Sequence, residues 1–265
     1  MKFAAVAALI LAFLVPYAAT GEEAASGATA TVTEIVDGDT VVLDRTISGA
    51  RQVRLVGLQA PKLPLGRAGF EAWPLADEAK TALSRLVLGK QVTLDFTGEP
   101  LDRHGRLLAH VKTENGTWIQ GTLLAAGMAR VYSFADNRAR VDEMLTEERA
   151  ARGANRGIWG HPFYAVRTPN EAWNHLSTFQ LVEGRIVDAA RVKGTIYLNF
   201  GEDWRTDFTI RIRPQARRVF DRAGIDPTAW KGRWVRVRGW LRKYNGPMID
   251  ASHPEQIEVL TERDS

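Results

Sequence analysis

Between Val53 and Lys62 the chain reads Val-Arg-Leu-Val-Gly-Leu-Gln-Ala-Pro-Lys. The apolar-polar alternation predicts a strand that delivers Arg54, and Gly57 breaks it. Pro61 fixes the turn that follows, which carries one polar residue, Gln59, and one charge, Lys62. Two more polar turns interrupt apolar runs: Asp37-Gly38-Asp39-Thr40 upstream and Asp102-Arg103-His104-Gly105-Arg106 downstream. Three polar turns hung on apolar strands form a candidate site.

The surrounding pattern predicts a mainly β unit with packed helices, spanning residues 31–166. Strands are expected over Thr31–Val36, Thr40–Leu43, Gln52–Val56, Val92–Phe96 and Arg106–Val111, the first two joined by the Asp-Gly turn. Leu75, Ala79, Ala82, Leu83 and Leu86 fall on one helical face between Pro74 and Gly89. Further helices are expected over Trp118–Ala126 and Arg138–Arg152, the charges of the latter read as a solvated face. Five strands interrupted in this order suit a small Greek-key barrel with helices against it.

Taken in order, Asp-Gly-Asp-Thr, Arg54-Leu-Val-Gly-Leu-Gln-Ala-Pro, Asp102-Arg-His-Gly-Arg, Leu123-Leu-Ala-Ala-Gly-Met-Ala-Arg-Val-Tyr and Arg156-Gly-Ile-Trp-Gly resemble the thermonuclease (staphylococcal-nuclease-like) family from about Thr31 to Gly160. The resemblance implies an oligonucleotide-binding-type (OB-type) barrel and a calcium-dependent phosphodiesterase acting on DNA or RNA. It makes Asp39 a metal ligand, and Arg54 and Arg106 a phosphate clamp. In-line attack on a phosphodiester builds negative charge that arginine forks and a cation stabilise.

Two positions depart from the family pattern. Gln59 stands where the resemblance implies a second metal-binding aspartate, and Lys62 where it implies the glutamate that acts on the attacking water. A Gln59 carbonyl is a weaker calcium ligand than a carboxylate. An exposed ammonium has no lone pair to accept a proton, and a lost general base costs about 10²–10⁴-fold in rate. The expectation is therefore a degraded catalytic site in which calcium is weakened or lost and Lys62 helps the arginines hold phosphate. Glu71 and Glu78 are the candidate substitute bases. Two functions remain open: a nuclease with surviving catalysis, and a non-catalytic nucleic-acid- or phosphate-binding module of the cell envelope.

Residues 167–178 read as a linker, and residues 179–265 as a second, smaller OB-like barrel of three strands, a helix opened by Pro214, and two more strands. In its long strand, period-two splitting puts Trp234, Arg236, Arg238, Trp240, Arg242 and Tyr244 on one face. That face suits single-stranded DNA or RNA, or else packs under the first unit. The protein carries 35 Lys/Arg against 31 Asp/Glu, and its whole balance of +4 falls from Phe179 onward, which suits an anionic partner or a solvated basic surface.

Lys2, the apolar run Phe3–Val15 and the small residues after Pro16 make residues 1–20 a signal peptide, followed by a leader over 21–30. Export to the periplasm or the medium follows, with a membrane partner only if the segment is retained as an anchor. The absence of cysteine excludes a disulfide partner, a thiolate metal site and a cysteine nucleophile.

Overall fold

The computed structural model describes residues 27–261. The proposed signal peptide and most of the leader lie outside the described residues. The leader ends sooner than expected, because β1 (Ala28–Asp37) already pairs Ala28 with Leu94 and Thr31 with Gln91.

The first unit continues through β2 (Thr40–Ile47), β3 (Ala50–Leu55), β4 (Leu58–Gln59), α1 (Ala76–Val87), β5 (Gln91–Asp95), β6 (Leu107–Thr113), α2 (Ile119–Ala125), β7 (Arg130–Val131) and α3 (Val141–Gly153). Five strands close a barrel in the order β1-β2-β3-β6-β5, with β3 and β6 parallel and the other pairs antiparallel. Alternate residues Val41, Leu43, Val53, Leu55, Val92, Leu94, Leu107, Ala109 and Val111 fill it, as period-two patterning requires. Leu83 of α1, Leu123 of α2 and Met144 of α3 cover the same core. The two-residue pair β4–β7 was not foreseen, since two residues carry no periodicity.

Two glycines set the geometry of the barrel mouth. A Cβ on Gly38 would sit 2.7 Å from the Ala60 Cβ and 2.8 Å from the Ala79 Cβ, so the Asp-Gly-Asp turn lies against both α1 and the segment after β4. Gly57 has φ +83°, and a Cβ there would meet Met144 Cε at 2.4 Å. It therefore supplies both the left-handed turn and the space for α3.

The second unit comprises β8 (Phe179–Arg185), β9 (Asp188–Val192), β10 (Thr195–Asn199), β11 (Thr209–Ile212), α4 (Pro214–Arg222), β12 (Trp234–Tyr244), β13 (Gly246–Asp250) and β14 (Ile257–Val259). Its strands run β9-β10-β11-β13-β12, and β12 also pairs with β8 and β14. Between β8 and β9 the chain changes partners: Ile186 N–H donates to Arg233 O, and Val187 N–H to Asn199 O. β8 and β9 are thus two halves of one bent strand that returns the sheet to itself. With β11 and β13 parallel, the connection order repeats that of the first barrel. The expected OB-like second barrel is present, with β9 as an unforeseen half-strand.

Residues 167–178 are not a loose linker. Arg167 exchanges backbone hydrogen bonds with Leu181 and Glu183, and Ala172 joins the second core. Among the described residues no helix is long and apolar enough to cross a membrane.

Candidate active site and the seam behind it

The Asp37-Gly38-Asp39 turn buries its second aspartate completely. Asp39 Oδ2 accepts from Ala60 N–H at 2.8 Å, which the close approach at Gly38 makes feasible. Lys62 Nζ lies 2.6 and 2.8 Å from the two Asp39 oxygens and 3.3 Å from Asp37 Oδ2. Arg54 Nη2 is 3.1 Å from Asp39 Oδ2, and the same guanidinium donates to Leu55 O at 2.7 Å and Leu58 O at 2.6 Å. Burial alone would push the Asp39 carboxyl up, but Arg54 and Lys62 more than reverse this and hold it well below the usual carboxylate range. Asp37 moves the other way, raised by burial and by the Asp39 charge against a partial offset from Lys62.

These contacts correct several expectations. Lys62 is not free for phosphate, because its ammonium is bound between two aspartates. Gln59 does not face Asp39. Its Oε1 accepts from Arg130 Nε at 3.1 Å and Nη2 at 2.7 Å. Arg130 is itself buried under the rings of Phe179, Trp73 and Tyr164, 4.6–5.9 Å from its Cζ. Arg54 is largely committed to backbone carbonyls. Arg106 is held by its own turn, with Nη2 2.6 Å from Asp102 Oδ2, and stays half-buried. Glu71 and Glu78 are exposed, and neither bonds to Asp39 or Lys62 among the described residues.

A calcium ion needs several hard oxygen ligands. Asp39 has given both oxygens to Lys62 and Gln59 has turned to Arg130. No group of three or more His, Cys, Asp or Glu suited to a metal occurs among the described residues. The residues present do not fit the ion.

The expected open face of β12 is closed over half its length. Arg238 is buried between Glu148 of α3 and Glu258 of β14, at 2.9–3.0 Å and 2.5 Å. Arg236 is buried against Glu183 at 2.5 Å. Glu148, on the same side of α3 as Val141 and Leu145, is fully buried and also takes Val131 N–H at 2.6 Å and Arg152 Nη1 at 2.8 Å. Burial would lower the Arg238 pKa, but Glu148 and Glu258 more than offset this and raise it. Trp234, Trp240, Arg242 and Tyr244 remain exposed, and Trp240 Nε1 donates to the Tyr132 hydroxyl at 3.0 Å. The residues not foreseen are therefore partners: Asp37, Arg130, Glu148 and Glu258. Asp37 was signalled by its place in the Asp-Gly-Asp turn, Arg130 by its place in the run Leu123–Tyr132, and Glu148 by sharing a helical side with Val141 and Leu145.

His253 crosses the same seam, with Nε2 2.7 Å from Ser133 Oγ and Nδ1 2.9 Å from Ser252 Oγ. Burial lowers its pKa to about 4, as it does for His110 beneath Trp118. The folded protein thus keeps both rings neutral where the unfolded chain, with a pKa of about 6.5, protonates them. Their stabilisation is complete above about pH 6.5 and is lost as pH falls through about 4, by about 3 kcal/mol per ring. Urea midpoints between pH 7 and 4 are expected to fall less steeply for His253→Gln than for the wild type. Identical slopes would show that His253 does not carry the effect.

Comparison with known proteins agrees with the first barrel. The family model described as staphylococcal nuclease homologue matches residues 52–161. The chain is 30% identical over 144 residues to an uncharacterized endonuclease of Escherichia coli O157:H7, covering 54% of this chain and 83% of that protein. It is 25% identical over 147 residues to the thermonuclease of Staphylococcus hyicus, covering 55% of this chain and 84% of that one. It is 31% identical over 152 residues to endonuclease YhcR of Bacillus subtilis, covering 53% of this chain but only 12% of that much longer protein. With the closed five-stranded barrel, these matches show that the chain belongs to the staphylococcal nuclease homologue family.

Proposed function

We propose that this chain is a non-hydrolytic member of its family, which holds DNA or RNA outside the cytoplasm without cutting it. The observation that carries this reading is the 2.6 Å contact between Lys62 Nζ and Asp39 Oδ2. Hydrolysis needs a group that accepts a proton from water and a centre that stabilises charge on the phosphoryl oxygens. An ammonium bound to carboxylates accepts no proton. The Asp39 carboxylate, its charge balanced by two cations, is a poor base. What survives is recognition chemistry: the half-exposed Arg106 at the mouth and the basic second unit. The N-terminal charged and apolar segment supports export.

The test is a paired assay on single-stranded DNA and RNA, with binding and cleavage each measured with and without calcium. The expected result is salt-sensitive binding and no calcium-dependent cleavage. Calcium-dependent turnover by the wild type would overturn the non-hydrolytic reading. Absence of binding to either polymer would overturn the nucleic-acid reading.

A further inference from the structure

The alternating face of β12 has two fates. Arg236 and Arg238 disappear into ion pairs at the seam, whereas the next three residues on that face emerge: Trp240 at 44% exposure, Arg242, and Tyr244 at 54%. They come out beside a loop of the first barrel. Trp240 donates to Tyr132, whose ring meets Phe134 edge-on at a centroid distance of 4.9 Å, and Phe134 is itself 46% exposed. Tyr132 N–H in turn donates to Gly57 O at 2.7 Å, directly beside β4 and the mouth segment. The result is one strip that starts at the first barrel and continues along the second.

We infer that this strip, Phe134 to Trp240, Arg242 and Tyr244, is a binding path for single-stranded nucleic acid. The reading rests on the nucleic-acid half of the proposed function and supplies its surface. Three observations favour this occupant. Trp240 and Tyr244 lie four residues apart on one strand face, about 13 Å, with Arg242 midway, a span that an unstacked single strand can bridge and a duplex, with its bases stacked inside, cannot. Arg242 has no hydrogen-bond, ion-pair or ring partner among the described residues, unlike the two buried arginines before it, so its charge is available to phosphate. The unit that carries it holds all of the protein's positive balance. An apolar protein-docking face would not place an unpaired guanidinium between its rings.

Binding of fluorescent (dT)20 and of a 20-base-pair duplex to the full protein tests this by anisotropy. Trp240→Ala and Tyr244→Ala are each expected to weaken (dT)20 binding about tenfold. Arg242→Gln is expected to weaken it and to reduce its salt dependence by about one ion. Tyr244 is exposed and outside the seam, so Tyr244→Ala reads the strip even if Trp240→Ala loosens the fold. Wild-type binding left unchanged by Tyr244→Ala and Arg242→Gln would overturn the strip while leaving nucleic-acid binding intact. No wild-type binding at all would overturn both. Equal affinity for the duplex would overturn the single-strand assignment. A concentration-dependent dimer abolished by Tyr244→Ala would assign the strip to a second copy of this chain instead.

Discussion

Lys62→Glu is expected to make the stability of this protein depend on calcium, which the wild type should ignore. In the wild type the Lys62 ammonium lies within 2.6–3.3 Å of Asp37 and Asp39 and supplies the positive charge that their burial requires. A glutamate there would set three carboxylates around one point with Arg54 as the remaining compensation. Breaking a buried pair from one side costs about 3–5 kcal/mol, so the variant without divalent ion should unfold at a much lower urea concentration. The same three carboxylates are hard oxygen ligands. Calcium at 100 times its dissociation constant should return about 2.7 kcal/mol. Gln59→Asp should add little to that response, because a carboxylate at this position meets the Arg130 guanidinium that now bonds the amide at 2.7 Å. Urea titrations at several calcium concentrations decide it. A calcium response in the wild type, or one conferred by Gln59→Asp alone, would contradict the site geometry.

The other large effect lies at the seam. Arg238→Met removes the fully buried cation between Glu148 and Glu258, leaving Arg152 at 2.8 Å from Glu148, and Arg149 at 3.4 Å and Arg152 at 3.8 Å from Glu258. The loss should be about 3–5 kcal/mol, a large share of the 5–15 kcal/mol typical of a folded protein. The penalty comes from the stranded carboxylates and not from a missing attraction. Adding Glu148→Gln and Glu258→Gln to Arg238→Met should therefore recover part of it, although each alone destabilises. Chemical denaturation of the wild type, the three single variants and the triple variant tests this. A loss below about 1 kcal/mol for Arg238→Met, or no recovery in the triple variant, would mean that the pair is solvated.

Much of the first barrel was legible because its signals are local. Gly57 and Pro61 punctuate a strand and the Asp-Gly turn joins a hairpin; in the second unit, likewise, α4 begins at Pro214 as foreseen. The site was half legible. That Gln59 and Lys62 stand where the resemblance implies acids could be read directly, but not where their side chains go. Asp39 and Lys62 are 23 residues apart and meet only because Gly38 lets the turn touch Ala60. Period two on β12 correctly sorted its faces, yet periodicity reports which residues share a face and not what covers it. Arg238 and Arg242 look alike in sequence, yet one is buried against Glu148 of α3 and the other is exposed. Likewise, the alternation in Asp188–Val192 is too short to separate a half-strand from a loop.

The β12 strand is held differently along its length. Its first half is clamped between Glu148, Glu183 and Glu258, and its second half continues past the clamp as a hairpin with β13. A clamp of buried charges resists sliding more than an apolar contact does, because any displacement uncovers an uncompensated charge. A force on the hairpin of β12 and β13 would therefore reach the first barrel through the buried Arg238–Glu148 pair with α3.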